Sequence, residues 1–245
     1  ELDGVEILSE EESAKIEKRK DARIIPMRWI RTNKNESTAN SDFLAKSRMV
    51  AIGFRDKCLG QYRRDAPTIS KLAEYLILVI LCALGFISVC GDIKNAYFQG
   101  KDFEREVYLR QPKGGLRGLP KGVLMRAKKA IYGFAEAARL FWLALRDVFI
   151  EDGWVQSKLE CVLFYHWDEE GQLRGIAGTH VDDVLGGFRP DFEDAAFTKV
   201  KQRFRFGKWE KDEFVFRRRE WKRGPDGEGR ITMRSYAMGV NTLKL

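Results

Sequence analysis

Apolar and polar positions along the chain follow two periods. Ile87-Ser88-Val89-Cys90-Gly91-Asp92-Ile93, Cys161 to Trp167 and Gly175-Ile176-Ala177-Gly178-Thr179 are short apolar or β-favouring runs, and they predict strands. Ile24 to Ile30 and Glu106-Val107-Tyr108-Leu109 read the same way, with Thr32 to Ser41 as a loop or hairpin tip. Phe134, Ala138, Phe141, Leu145 and Val148 recur every three or four places, which predicts a helix over 134–150 that ends at Asp152-Gly153. Lys71 to Leu84 is apolar nearly all round, so it predicts a buried helix capped by Thr68 or Ser70 and ended by Gly85. Ser9 and Glu12 have capping-box spacing and predict a short polar helix to about Lys20. Asp191 is placed to cap a helix with a core face of Phe192, Ala196, Val200 and Phe204. Residues 207–236 predict a twisted hairpin turning at Gly224-Pro225-Asp226-Gly227. The mixture is that of an α/β (α+β) fold.

Leu173 to Leu185 predicts a tight hairpin with Asp182 and Asp183 at or beside its turn. Adjacent carboxylates repel, and alone the stretch reads as a solvated Asp-Asp turn. Asp92, at the C-terminal end of the 87–93 strand, changes that reading. Three carboxylates from a strand end and a hairpin can hold two Mg²⁺ ions, an arrangement suited to phosphoryl transfer. Lys46 and Arg48 are two apart and share one strand face, which makes either a phosphate grip or an exposed basic strand.

Composition narrows the partners. The 245 residues suit one large domain or two modest ones, and 44% hydrophobic with 33% charged residues is a globular balance. The net charge of +8 favours a polyanion, nucleic acid first and an anionic membrane second. Four cysteines without a Cys-x-x-Cys pair fit a reduced intracellular compartment, and two histidines argue against a His/Cys zinc site. The acidic N-terminal stretch is unlike a signal peptide, and a start at Glu1 suggests a segment of a longer product. The uncharged run Tyr75 to Gly91 is borderline for a membrane span, but Gly85 and Ser88 dilute it and Glu74 and Asp92 bound it, so no membrane role is expected.

From about Ile25 onward the sequence resembles the reverse transcriptase domain of copia-type LTR retrotransposon polyproteins. Asp92-Ile93-Lys94-Asn95-Ala96-Tyr97-Phe98-Gln99-Gly100 and Glu106-Val107-Tyr108-Leu109-Arg110-Gln111-Pro112 carry the most specific part of the likeness. Lys46 to Phe54, Lys129-Ala130-Ile131-Tyr132-Gly133-Phe134 and Val181-Asp182-Asp183 match three further blocks in the right order. The resemblance implies a fingers and palm fold, with a mixed, largely antiparallel sheet packed on helices. It implies RNA-directed DNA polymerase activity, with two Mg²⁺ (or Mn²⁺), an RNA template, a DNA primer and dNTPs. It makes Asp92, Asp182 and Asp183 the catalytic carboxylates and metal site, with Asp92 and Asp182 as the principal ligands, the Ile93 carbonyl as a further one and Asp183 supporting the charge. Tyr97 would be the gate against a 2′-OH, the alternative being an ordinary core aromatic. Arg48 with Lys46 would take the triphosphate, and Tyr132 and Gly133 would line the nucleotide and template pocket.

The implied organisation is a polar leader (1–22), a fingers-like region (23–91), a palm with an interleaved fingers segment (92–206) and a basic hairpin that begins the primer-grip region (207–245). Thumb, RNase H and integrase are expected outside this chain. The expected setting is cytoplasmic, in virus-like particles where the parent element is active. His180 replaces the usual aromatic before Val-Asp-Asp, so charge near the primer end is expected to depend on pH. Ala135-Glu136 replaces Lys-Gln, an acidic gain near expected nucleic acid, and Arg217-Arg218-Arg219 lies where the family has a glycine-containing stretch. The rival readings are a non-catalytic nucleic-acid-binding remnant, a two-metal nuclease using the same carboxylates, and a structural interaction domain.

Overall fold

In chain order the elements are β1 (Val5–Ile7), α1 (Glu10–Lys18), β2 (Ile24–Asn33), β3 (Ala45–Ala51), α2 (Lys71–Ala83), β4 (Ile87–Ile93), β5 (Tyr108–Arg110), β6 (Leu124–Ala127), α3 (Ala137–Glu151), β7 (Val155–Gln156), β8 (Leu163–Trp167), β9 (Leu173–His180), β10 (Asp183–Phe188), α4 (Thr198–Arg203), β11 (Phe206–Lys211), β12 (Glu213–Phe216), β13 (Arg219–Arg223), β14 (Gly229–Thr232) and α5 (Arg234–Met238). This computed structural model describes residues 4–33 and 42–240, so most of the loop expected over Thr32–Ser41 lies outside the described residues. Contacts group the chain into two units, Glu1–Asp65 with Asn95–Ala144, and Ala66–Lys94 with Leu145–Leu245. This differs from four consecutive segments. Residues 66–91, expected with the fingers, pack with the second unit because α2 lies on β9 and β10.

The first unit is built on a five-stranded sheet in the order β1-β6-β5-β2-β3, with β2 and β5 parallel and the other pairs antiparallel. Its core gathers Ile25, Met27, Leu109, Met125 and Phe134. The capping box forms as expected: the Ser9 hydroxyl accepts from the Glu12 N–H, and the Glu12 carboxylate accepts from the Ser9 N–H. The expected polar leader is not a solvated arm over its described part. Strand β1 pairs with β6, and Ile16 of α1 packs on Tyr108 and Leu124.

The second unit holds a six-stranded antiparallel sheet, β11-β4-β10-β9-β8-β7, and a three-stranded sheet, β12-β13-β14. Here the pattern misled in three places. Helix α2 buries only one face: Ile77 and Leu81 are inaccessible, but Leu72 and Val79 are 80% and 63% exposed. The start of the expected hairpin, 207–211, instead belongs to strand β11, which adds to the main sheet beside β4. The helix expected from Asp191 is divided: a single 3-10 turn spans Pro190–Phe192 with Asp191 inside it, and α4 starts only at Thr198, after Phe197 adopts a left-handed backbone, while the Asp191 carboxylate pairs with Arg189 at 2.7 Å. The stripe Phe192, Ala196, Val200 and Phe204 is nevertheless buried. Helix α3 ends at Glu151 before Gly153, with Phe141, Leu145 and Val148 inward, close to expectation. No helix among the described residues is long and apolar enough to cross a membrane.

Candidate active site

The acidic site begins with strand pairing. Strands β9 and β10 close over the two residues Val181 and Asp182, with His180 opposite Asp183. Strand β10 also pairs with β4, and that register sets Asp183 directly opposite Asp92. The Ile93 N–H donates to the Asp182 carbonyl at 2.8 Å, tying the end of β4 to the turn. Three carboxylate-bearing residues thus share one corner of the sheet. Like charges directly opposite on a sheet destabilise it. The result is visible at Asp183, whose carboxyl is pushed up to about 7 by burial first, then by the charges of Asp182 and Asp92. The turn adds strain: Val181, a β-branched residue, sits at φ 56.

Strand β11 completes the corner. Its register against β4 slips between Phe206 and Lys208, leaving Gly207 as a bulge. A Cβ on Gly207 would lie 2.8 Å from Asp92 Oδ2, so a larger residue there would push that carboxylate aside. The motif blocks did not single out Gly207. The signal was available as a lone glycine between aromatic residues, Phe206-Gly207-Lys208-Trp209, which in a strand commonly marks a bulge.

Three properties bear on metal binding. The donors are hard carboxylate oxygens, which suit Mg²⁺ or Mn²⁺ rather than a soft ion. The raised Asp183 carboxyl marks negative charge that a cation would relieve, and Gly207 leaves space at Asp92. The donor set therefore fits a divalent cation. Among the described residues, no group of three such side chains is already drawn together around a common point.

His180 flanks the turn. Burial first, then the charge of Arg217, lowers its pKa, while Glu74 and Asp182 pull the other way. Its ring therefore gains charge only at lower pH than an ordinary imidazole, so the expected dependence on pH is shifted toward acid. A hollow of about 460 Å³ is lined by His180, Val181, Asp182, Asp183, Arg217 and Arg218.

The remaining expected residues meet in the first unit. Arg48 and Lys46 lie on β3, opposite Ile30 and Thr32 of β2. The Arg48 guanidinium lies 5.5 Å from the centre of the Tyr132 ring, and the Tyr132 and Tyr97 rings are 4.7 Å apart. The Tyr132 carbonyl accepts from the Ala51 N–H at 2.8 Å, which fixes this loop to the end of β3. Gly133 has φ 99, and a Cβ there would collide with the Ala51 carbonyl, so both conformation and space demand glycine. Arg48, Tyr132 and Tyr97 thus form a half-exposed aromatic and cationic cluster, with Lys46 on the same strand face. Glu136 behaves otherwise than expected. Its side chain is buried and pairs with Arg105, which also reaches Asp56 at 2.7 Å. The feared acidic intrusion is an internal ion network.

With this geometry in view, known proteins are informative. A sequence profile described as reverse transcriptase (RNA-dependent DNA polymerase) matches residues 12–203. The chain is 27% identical over 183 residues to the retrovirus-related Pol polyprotein from transposon RE1 of Arabidopsis thaliana, covering 74% of this chain and 12% of the relative. It is 29% identical over 163 residues to the corresponding polyprotein from transposon RE2, covering 66% and 11%. The chain therefore spans about an eighth of the length of these relatives. Among solved structures, a telomerase from Candida albicans in complex with a fragment of telomeric RNA overlays with a TM-score of 0.48 at 10% identity, covering 89% of this chain and 46% of that one.

Proposed function

Because the chain belongs to the reverse transcriptase (RNA-dependent DNA polymerase) family, we propose that it adds deoxynucleotides to a DNA primer on an RNA template, as part of a retrotransposon polyprotein in the cytoplasm. One observation carries the reading: the strand register that sets Asp183 opposite Asp92 beside the turn holding Asp182. Asp92, Asp182 and the Ile93 carbonyl would hold two Mg²⁺ ions, with Mn²⁺ as substitute, and Asp183 would complete the negative field. Bound there, the pair would lower the pKa of the attacking 3′-OH and stabilise the negative charge that develops on the leaving pyrophosphate. Arg48, helped by Lys46, takes the triphosphate. Tyr97 lies against the sugar and excludes a 2′-OH, and Tyr132 and Gly133 line the nucleotide and template pocket. The basic β12–β13 hairpin contributes charge toward the primer strand, so hybrid affinity is salt-sensitive.

The test is extension of a primed RNA template with dNTPs, in Mg²⁺ and in EDTA, for wild type and Asp182→Asn. Extension by the wild type alone, and only with the cation, supports the reading. A folded wild type that binds the hybrid without extending it overturns the reading, and degradation of the strand points to a nuclease. Tyr97→Ala should admit ribonucleotides; unchanged discrimination would reduce Tyr97 to a packing residue.

A further inference from the structure

The tip of the β12–β13 hairpin is built in an unfavourable way. Phe216 pairs with Arg219, so Arg217 and Arg218 form a two-residue turn, with φ 49 and 67. Turns with both central residues at positive φ normally use Asn-Gly. Two arginines there cost strain and place two cations side by side. Something must hold them, and the candidate lies far away in sequence.

Glu74, in the first turn of α2, is 1% exposed. Its two oxygens divide between two arginines of the hairpin: Arg217 Nη1 donates to Oε2 at 3.1 Å, and Arg219 Nη1 donates to Oε1. Arg217 Nη1 also donates to the Ile69 carbonyl at 3.1 Å, and the Ile69 N–H donates to the Thr179 carbonyl at 3.1 Å. Thr179 belongs to β9, two residues before the catalytic turn. Arg218 is stacked over Tyr236 at 5.0 Å. A short run of contacts thus joins a buried acid to the strained turn and to strand β9, which leads into the turn holding Asp182. The same hairpin tip lines the hollow over Val181, Asp182 and Asp183.

We propose that Glu74 is a positioning residue, which holds the Arg217-Arg218 turn beside the Asp182-Asp183 turn and thereby fixes the cationic wall against which the primer end is set. This rests on the polymerase reading above. A neutral side chain at position 74 would leave Arg217 and Arg219 repelling each other near a buried wall, and the tip would swing away from the carboxylates.

The test uses the full 245-residue chain with Glu74→Gln, Arg217→Lys and the Glu74→Gln/Arg217→Lys double variant. At saturating hybrid and dNTP, Glu74→Gln should lower the single-turnover extension rate about tenfold, while the dNTP KM stays within about twofold. The double variant should be no worse than Glu74→Gln, since both act through one contact. Amide exchange should quicken at 217–218 and at 180–183, with the rest of the main sheet unchanged. A lower Tm with wild-type rate at saturation would make Glu74 a purely structural residue and overturn the proposal. If Glu74→Gln fails to fold, Arg217→Lys alone must show the rate and exchange changes; their absence overturns it. If the wild type extends nothing, the polymerase reading falls, and exchange decides the positioning role: no change at 180–183 refutes it.

Discussion

Two acidic clusters in this molecule have opposite electrostatics. In the first unit, Asp56 and Glu136 are buried around Arg105, which pairs with both. Burial pushes the Asp56 carboxyl up, but the Cys58 N–H, the Tyr62 hydroxyl and Arg105 outweigh it and hold the group below its usual range. In the second unit, Asp183 faces Asp92 and follows Asp182, and its carboxyl rises to about 7. The first cluster carries its own cation, although one oxygen of Glu136 is buried without a hydrogen-bond partner. The second stores repulsion and strain that an external cation can relieve. This distinction separates an acidic cluster neutralised from within from one whose charges face each other without a cation of their own.

The largest effect expected from breaking this contrast is on chemistry. Asp92→Asn or Asp182→Asn should lower primer extension by on the order of 10³-fold, since each removes charge where the reaction develops it. Asp56→Asn or Glu136→Gln should act instead through stability. Rates measured on protein shown to be folded separate the two, and equal losses at both clusters would erase the distinction.

Next in size is the removal of Arg105. Arg105→Met leaves two buried carboxylates without their shared partner, so it should cost about 3–5 kcal/mol, read from urea unfolding. Adding Glu136→Gln should recover part of that loss. A cost below about 1 kcal/mol would show that the network is solvated and that Glu136 is not an internal residue.

The pH responses should run in opposite directions. Asp183 holds its proton in the folded chain up to about 7 but releases it near 3.8 when unfolded. Between those values the folded state binds more protons, so the contribution of Asp183 is full below the lower value and lost as pH rises through about 7. In EDTA this should lower stability by on the order of 1–3 kcal/mol, a loss that Mg²⁺ or Asp183→Asn removes. Asp56 has the reverse sign: its contribution is present above its unfolded value and lost as pH falls. Parallel stability curves for wild type and Asp183→Asn in EDTA from pH 4 to 8 would refute the burial of charge at Asp183.

What could be read from the sequence follows from how local each signal is. Strand β4, the β9–β10 hairpin and the capping box at Ser9 depend on alternation and turn chemistry within a few residues, and they were legible. The α3 stripe was legible for the same reason. What misled was tertiary. Apolarity all round α2 cannot reveal that only one face meets the sheet. Glu136 looked like an intruder because its partner Arg105 lies 31 residues away. Glu74 reads as an ordinary first-turn acid until Arg217 arrives from 143 residues later. The pairing of Asp183 with Asp92 is also long-range, and it was legible because motif blocks marked both strands.

The smallest effect concerns backbone conformation, where the same two regions contrast again. Gly133 at φ 99 and Val181 at φ 56 both occupy left-handed space. At Gly133 the residue type matches the geometry, and the loop is unstrained. At Val181 a β-branched side chain opposes it, at a cost of about 1–3 kcal/mol. Val181→Gly relieves that strain but adds freedom to the unfolded chain worth about 0.5–1 kcal/mol. The net gain in unfolding free energy should therefore be small, about 1 kcal/mol. The gain should come with slower extension, because a glycine at the turn gives Asp182 more freedom beside the Asp183–Asp92 pair. If Val181→Gly instead destabilises the protein by more than about 1 kcal/mol, the valine is packed rather than strained, and the acidic corner holds less stored energy than its neighbouring carboxylates imply.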